Sequence, residues 1–264
     1  IIIEQTKHKC INCFHYHHQN IKECPDCSCI NYLYNVNKKE MKKLHKKLSH
    51  DIGKAIKDYD MIKDGDKVLI ALSGGKDSLT MLHILLSLQK KAPIKFKIGC
   101  CTIDPNHPEY NPKPLIKYLK DLNIPYYYEK QNILDNALKY MDKNKISFCS
   151  FCSRMKRGAL YSVCKRQGYN VLAMGQHLDD LCESFIMSSF FNGRLRTMKC
   201  NYFDNTGNIR IIRPLIYVRE KLCKKYSILY QLPVINENCP ACYDEPKQRQ
   251  NVKMILAKQE QLNP

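Results

Sequence analysis

The sequence predicts an α/β protein: a doubly wound parallel sheet with a small metal-binding module at its N-terminal end. Three observations predict it. Short aliphatic and β-branched runs alternate with segments of helical periodicity, the pattern of strands joined by crossover helices. The first such run, Val68 to Leu72, breaks at Ser73-Gly74-Gly75-Lys76-Asp77-Ser78 and resumes with helical spacing from Leu79 to Leu88, which reads as strand, tight loop and helix. Ahead of them stand two C-x-x-C pairs, in a segment too short to hold a core of its own.

Composition narrows the class. The 264 residues suffice for one large α/β domain with an appendage. Lysine and arginine number 43 against 25 aspartates and glutamates, a net charge of +18 spread along the whole length. That balance suits a polyanionic partner, nucleic acid before an anionic membrane surface. Fifteen cysteines without an obvious secretory signal point to reduced thiols or metal ligands in a cytoplasmic setting. No apolar run reaches the length of a membrane span.

In chain order, residues 1–35 read as a small metal module. Cys10 with Cys13, and Cys24 with Cys27, can each put two thiolates on one metal; zinc is the default ion, and Cys29, His15, His17 and His18 are spare ligands. Over residues 36–60, Met41, Leu44, Leu48, Ile52 and Ile56 recur at spacings of three and four, predicting an amphipathic helix over 38–58. Its many lysines either contact phosphates or form a solvated face. Residues 61–230 carry the alternation. After the opening strand, loop and helix, Ile94 to Ile103 reads as a strand ending at Asp104, where the ligand-facing loop of an open sheet lies. Pro114 to Leu122 reads as a helix, Ile124 to Tyr128 as a strand, and Ile133 to about Lys143 as a helix. Tyr169 to Met174 is another strand, opening onto Gly175-Gln176-His177-Leu178-Asp179-Asp180. A helix from Leu181 to Phe191 follows, then the basic turn Asn192-Gly193-Arg194-Leu195-Arg196, the run Ile209 to Tyr217, and a helix from Arg219 to Tyr230. Residues 231–264 hold Cys239-Pro-Ala-Cys242 and a basic helix.

Three of these stretches carry chemistry. In the first loop Gly74 and Gly75 let the backbone approach a ligand, while Ser73, Ser78 and the helix amides donate to an anion that the helix dipole favours. The loop is a phosphate cradle, and its adjacent glycines exclude the Walker A spacing. S-G-G-K-D-S after a buried strand instead resembles the PP-loop of the adenylating ATP pyrophosphatases, which split ATP between its α and β phosphates. The acidic pair Asp179 and Asp180 is suited to hold Mg²⁺ or orient ATP, or to cap the next helix; the two roles are compatible. Cys149 and Cys152, followed by Arg154, Lys156 and Arg157, join a metal or redox pair to strong positive charge. A pair alone cannot complete a site, and Cys239 with Cys242 supplies further thiolates; two such pairs also suit an ordinary four-cysteine zinc site.

Taken together, S-G-G-K-D-S, C-S-F-C-S-R-M-K-R-G-A-L-Y, G-Q-H-L-D-D, R-P-L-I-Y-V-R-E and C-P-A-C followed by Q-R-Q resemble, in that order, the TtcA-type tRNA 2-thiocytidine synthetases over about residues 40–260. The resemblance implies an adenine nucleotide alpha hydrolase-like fold and an ATP-dependent tRNA thiolase. It implies a 4Fe-4S cluster held by Cys149, Cys152 and Cys239, with Cys242 a neighbour and one iron open to a sulfur species. By the same resemblance Ser73, Gly74, Gly75, Lys76, Asp77, Ser78, Asp104 and Gly175 would bind the nucleotide, Asp180 with Asp179 would organise ATP and Mg²⁺, and Lys156 or Arg157 would steady phosphate or developing negative charge. The implied partners are tRNA, a cysteine desulfurase or other sulfur donor, and a second copy in a homodimer. The N-terminal double knuckle departs from that family and is matched by the zinc finger of its 2-thiouridine relatives. It leaves 2-thiouridine open as the product. A PP-loop tRNA-modifying enzyme without sulfur transfer and a zinc-containing RNA-binding protein also stand at this point.

Overall fold

Two short strands, β1 (Lys7–Lys9) and β2 (Tyr16–His18), pair antiparallel near the N-terminus. The structure, a computed structural model, describes residues 7–9, 16–18, 38–106, 110–133, 148–235 and 248–263. The predicted ligands Cys10, Cys13, Cys24 and Cys27 lie outside the described residues, as do Cys239 and Cys242.

The main body begins with α1 (Lys38–Asp58), then β3 (Lys67–Ala71), α2 (Lys76–Gln89), β4 (Lys97–Asp104), α3 (Lys113–Asp121) and β5 (Tyr126–Lys130). It continues with α4 (Phe148–Gln167), β6 (Val171–Ala173), α5 (Leu178–Asn192), β7 (Asn201–Phe203), β8 (Arg210–Ile212), α6 (Glu220–Leu229) and α7 (Gln248–Leu262). Six strands form one sheet in the order β5-β4-β3-β6-β8-β7. Its first five strands run parallel, and β7 runs antiparallel to β8.

The sheet is buried on both faces, which is why its central strands read as continuous apolar runs. Val68 and Ile70 of β3 pack into a core shared with α1, α2, α3 and α6, whereas Leu69 joins a second core with Leu160, Val163 and Cys164 of α4. Helix α1 enters the larger core through Leu44, Leu48, Ile52 and Ala55. Its predicted apolar stripe thus faces α2 and α6, and its lysines face outward.

From β3 the chain steps outward to β4 and β5, then returns to β6 on the other side. Right-handed crossovers then place α2 and α3 on one face of the sheet and α4 on the other. The order therefore reverses between β3 and β6. Ligands of open α/β sheets bind in the crevice beyond the carboxyl ends of the strands at such a switch point.

The structure amends several expectations. Strand β7 has no signature in the sequence, because three residues give no usable alternation, and of the run Ile209 to Tyr217 only Arg210–Ile212 is strand. The helix expected from Ile133 falls, beyond that residue, outside the described residues. Among the described residues no helix is long and apolar enough to cross a membrane.

Candidate active site

The loop between β3 and α2 is built from its own hydroxyls. Ser73 Oγ accepts the Gly75 N–H at 3.2 Å and lies 3.3 Å from Ser78 Oγ, which donates to the Gly75 carbonyl at 3.1 Å. Gly74 sits at φ +87°, and its carbonyl accepts the Ile235 N–H at 3.0 Å. A Cβ there would lie 2.3 Å from Ile235 Cγ1, so only glycine lets Ile235 close over the loop. Helix α2 starts at Lys76 with no side chain capping its first amides, an open anion-binding end.

The second loop, after β6, packs directly on the first. A Cβ on Gly175 would approach the Cα and N of Ser78 to 3.3 Å. His177 is the N-cap of α5: its Nδ1 accepts the Asp180 N–H at 3.3 Å, and Asp180 Oδ2 accepts the His177 N–H at 3.1 Å. Asp180 is therefore the acidic half of a capping box, and its Oδ1 also takes the Arg249 guanidinium at 3.2 Å. Asp179 accepts the Glu220 N–H at 2.6 Å and Arg219 Nε at 2.9 Å, tying this loop to the start of α6.

The charged centre is Lys76. Its ammonium lies 2.9 Å from both Asp77 Oδ2 and Glu220 Oε1, and Glu220 Oε2 takes Lys253 of α7 at 2.5 Å. Burial opposes the Lys76 charge, but Asp77 and Glu220 outweigh it and hold the ammonium above the ordinary lysine value. Burial likewise favours a neutral Glu220, yet Lys253 and Lys76 prevail and hold its carboxyl down at about 2. Asp77 Oδ1 is buried without a hydrogen-bond partner, 4.0 Å from His177 Nε2.

The donor set permits a test of fit for the expected groups. For ATP, the uncapped helix start and the Gly74 conformation leave room for a phosphate-borne ligand. Among the described residues no group of three or more acidic, cysteine or histidine side chains could by itself hold a metal ion. Mg²⁺ therefore fits only as an ion carried largely by nucleotide phosphates, with one or two carboxylates. For the cluster, Cys149 and Cys152 fall three residues apart in the first turns of α4, one helical turn from each other. Cys152 is half-buried against the smaller core.

Asp104 ends β4, accepting the Asn106 N–H at 2.7 Å and the Tyr128 hydroxyl. Lys156 lies on α4, across the sheet from α2, and is half-buried. The structure thus joins Lys76, Asp77, Ser78, Gly175, Asp179 and Asp180 at one end of the sheet. It adds Arg219, Glu220, Arg249 and Lys253, to which the sequence reading assigned no role. Their available signal was the R-E pair at the start of a helix and the basic residues of α7.

A glycine loop between the first sheet strand and a helix, set at the switch point beside an acidic turn, defines a PP-loop nucleotide-binding domain. A family model described as PP-loop domain matches residues 33–238. The tRNA-cytidine(32) 2-sulfurtransferase of Geobacter sulfurreducens is 36% identical over 220 residues, covering 83% of this chain and 85% of its own. That of Pseudomonas fluorescens is 41% identical over 223 residues, covering 84% and 80%. Among solved structures, the U34-tRNA thiolase NcsA from Methanococcus maripaludis, determined with its 4Fe-4S cluster, shares the fold at a TM-score of 0.68 and 21% identity, covering 93% of this chain and 83% of that one. The chain belongs to the PP-loop family, among the tRNA-cytidine(32) 2-sulfurtransferases.

Proposed function

We propose that this protein is an ATP-dependent tRNA sulfurtransferase that activates the C2 oxygen of a pyrimidine, cytidine in the first instance, and replaces it with sulfur. The observation that carries the reading is the packing of Gly175 onto Ser78, which sets the acidic turn against the phosphate loop at the switch point, in a chain with family relatives of that activity.

A pyrimidine C2 oxygen is a poor leaving group. In the proposed reaction it attacks the α-phosphorus of ATP, pyrophosphate departs, and a hydrosulfide adds at C2. AMP then leaves with the former base oxygen, the hydrosulfide proton passes to solvent, and a C2–S double bond results. Ser73, Ser78 and the amides at the start of α2 would hold the phosphates, and Lys76 would offset their charge. Asp179 and Asp180 would orient the nucleotide and its Mg²⁺ from a loop fixed by Arg219 and Arg249. Asp104 would border the nucleotide, and Lys156 would steady charge on the reacting base. Cys149, Cys152 and Cys239 would hold the 4Fe-4S cluster, which supplies an open iron for the incoming sulfur.

The same reading assigns residues 1–35 to a zinc module on Cys10, Cys13, Cys24 and Cys27, 36–60 to the basic helix, 61–230 to the PP-loop domain and 231–264 to the late cysteines and closing helix. It makes the enzyme a cytoplasmic homodimer supplied by a cysteine desulfurase or other sulfur donor. The test is mass spectrometry of nucleosides from unmodified tRNA incubated with the reconstituted protein, ATP and sulfide. The expected product is 2-thiocytidine. Exclusive 2-thiouridine would overturn the base assignment, and ATP-dependent modification without sulfur would overturn the reaction.

A further inference from the structure

The basic turn that follows α5 has no part in the site described above. Gly193, at φ +58°, ends the helix, and the chain folds back along it. The Arg194 N–H donates to the Ser188 carbonyl at 3.1 Å, and Thr197 Oγ1 donates to the Leu181 carbonyl at 2.6 Å. Leu181 directly follows Asp180. Further on, the Arg213 guanidinium bridges the Lys199 carbonyl and Gln176 Oε1. Residues 190–199, the last turn of α5 with the segment that folds back from it, thus make a strap, fixed at its far end to the loop that carries Asp179 and Asp180.

What this strap displays is unusual for a surface. Phe190 is 64% exposed, Phe191 51% and Leu195 80%. Arg194, Arg196 and Lys199 are exposed between and beside them, with no ion-pair partner among the described residues. Arg219, Arg249 and Lys253, close by in the site, are each held by carboxylates. Aromatic faces interleaved with exposed cations match single-stranded nucleic acid, whose bases stack on rings while its phosphates take the charge.

The geometry points to this strap as a platform for an unpaired loop of RNA, with Phe190 and Phe191 stacking on bases and Arg194, Arg196 and Lys199 contacting phosphates. The inference rests on the tRNA reading above and adds to it a surface that presents the loop to the acidic turn. A duplex cannot use the platform, because its bases are already stacked. A second copy of this chain would cover the phenylalanines but, at a net charge of +18, would bring further positive charge towards the three cations.

The test is direct binding to the full-length protein, using an RNA hairpin with an unpaired cytidine in its loop and a blunt duplex of the same stem. Phe190→Ala/Phe191→Ala should weaken hairpin binding about tenfold or more and leave duplex binding unchanged. Arg194→Gln/Arg196→Gln should reduce the salt slope of hairpin binding by about 1.4, at ~0.7 per single-strand phosphate contact. Unchanged hairpin affinity in both variants overturns the inference. So does a fall in solution mass of the phenylalanine variant at unchanged RNA affinity, which would assign the apolar residues to an interface between copies. A wild-type protein that thiolates no tRNA, yet binds the hairpin through this strap, would overturn the proposed reaction and leave the platform standing.

Discussion

Lys76 Nζ lies 2.9 Å from Glu220 Oε1, an ion pair joining the phosphate loop to the first turn of α6. Glu220 is also the anchor of Lys253, so one carboxylate positions the lysine that, in the proposed reaction, would serve a phosphate. Replacing it with neutral glutamine removes a competitor for Lys76 but also its alignment. In Glu220→Gln, kcat for pyrophosphate release should fall about tenfold while KM for ATP does not rise. Steady-state kinetics check this; a raised KM at full kcat would mean that Glu220 serves nucleotide binding alone.

Gly175 offers a second handle, because the Cβ contacts that substitution would create are with backbone atoms of Ser78. The two loops would have to part by a few tenths of an ångström. Gly175→Ala should cost about 10- to 100-fold in kcat/KM for ATP, since catalysis is sensitive to small misplacements, with a small change in Tm. Kinetics paired with thermal melting measure both, and wild-type activity would refute the close approach.

The cysteines are separable by colour. Cys149→Ala, Cys152→Ala and Cys239→Ala should each abolish the visible absorption of anaerobically purified protein, and Cys242→Ala should retain it. Colourless wild-type protein with zinc in metal analysis would replace the cluster with a four-cysteine zinc site.

A histidine pair predicts how stability responds to pH. His45 Nδ1 and His83 Nδ1 lie 2.9 and 3.1 Å from the Tyr226 hydroxyl, and His45 Nε2 lies 3.0 Å from Ser87 Oγ. One hydroxyl can donate to one ring and accept from the other, an arrangement suited to two neutral imidazoles. Burial first, then Lys91 for His45 and His45 for His83, holds both below their ordinary 6.5. Below that value the unfolded chain binds protons that the folded one refuses, so stability is complete above pH 6.5 and declines as pH falls. Tm should drop between about pH 7.5 and 5.5, and less steeply in His83→Gln; equal slopes would place the effect elsewhere.

Helix α1 is part of the main core, and Leu48 is fully buried in it. Leu48→Ala should destabilise the protein by about 2–5 kcal/mol. Denaturant titration measures the loss, and a change near zero would mean that α1 detaches without disturbing the sheet.

Much of this was legible in the residues. The apolar run ending in S-G-G-K-D-S identified the first strand, its loop and its helix, because adjacent glycines and a sudden change of period have few other readings. The sequence suits Asp179 and Asp180 both to capping a helix and to organising a nucleotide or Mg²⁺. The capping role of Asp180 is now visible in its exchange of hydrogen bonds with His177. Strand β7 and the partners of Lys76 were not legible. A three-residue edge strand has no period to detect, and an ion pair between positions 76 and 220 has no local signature.

By itself, then, the sequence determined the class of sheet, the phosphate loop and the family, since these depend on local spacing and ordered motifs. Only the tertiary structure decided that Glu220 and Lys253 frame Lys76, that Gly175 seats the acidic turn on Ser78, and that residues 190–199 return to the site as a strap. Those relations arise where crossovers bring distant segments to the carboxyl end of one sheet. Their energies depend on burial and distance, which have no values until the chain has folded.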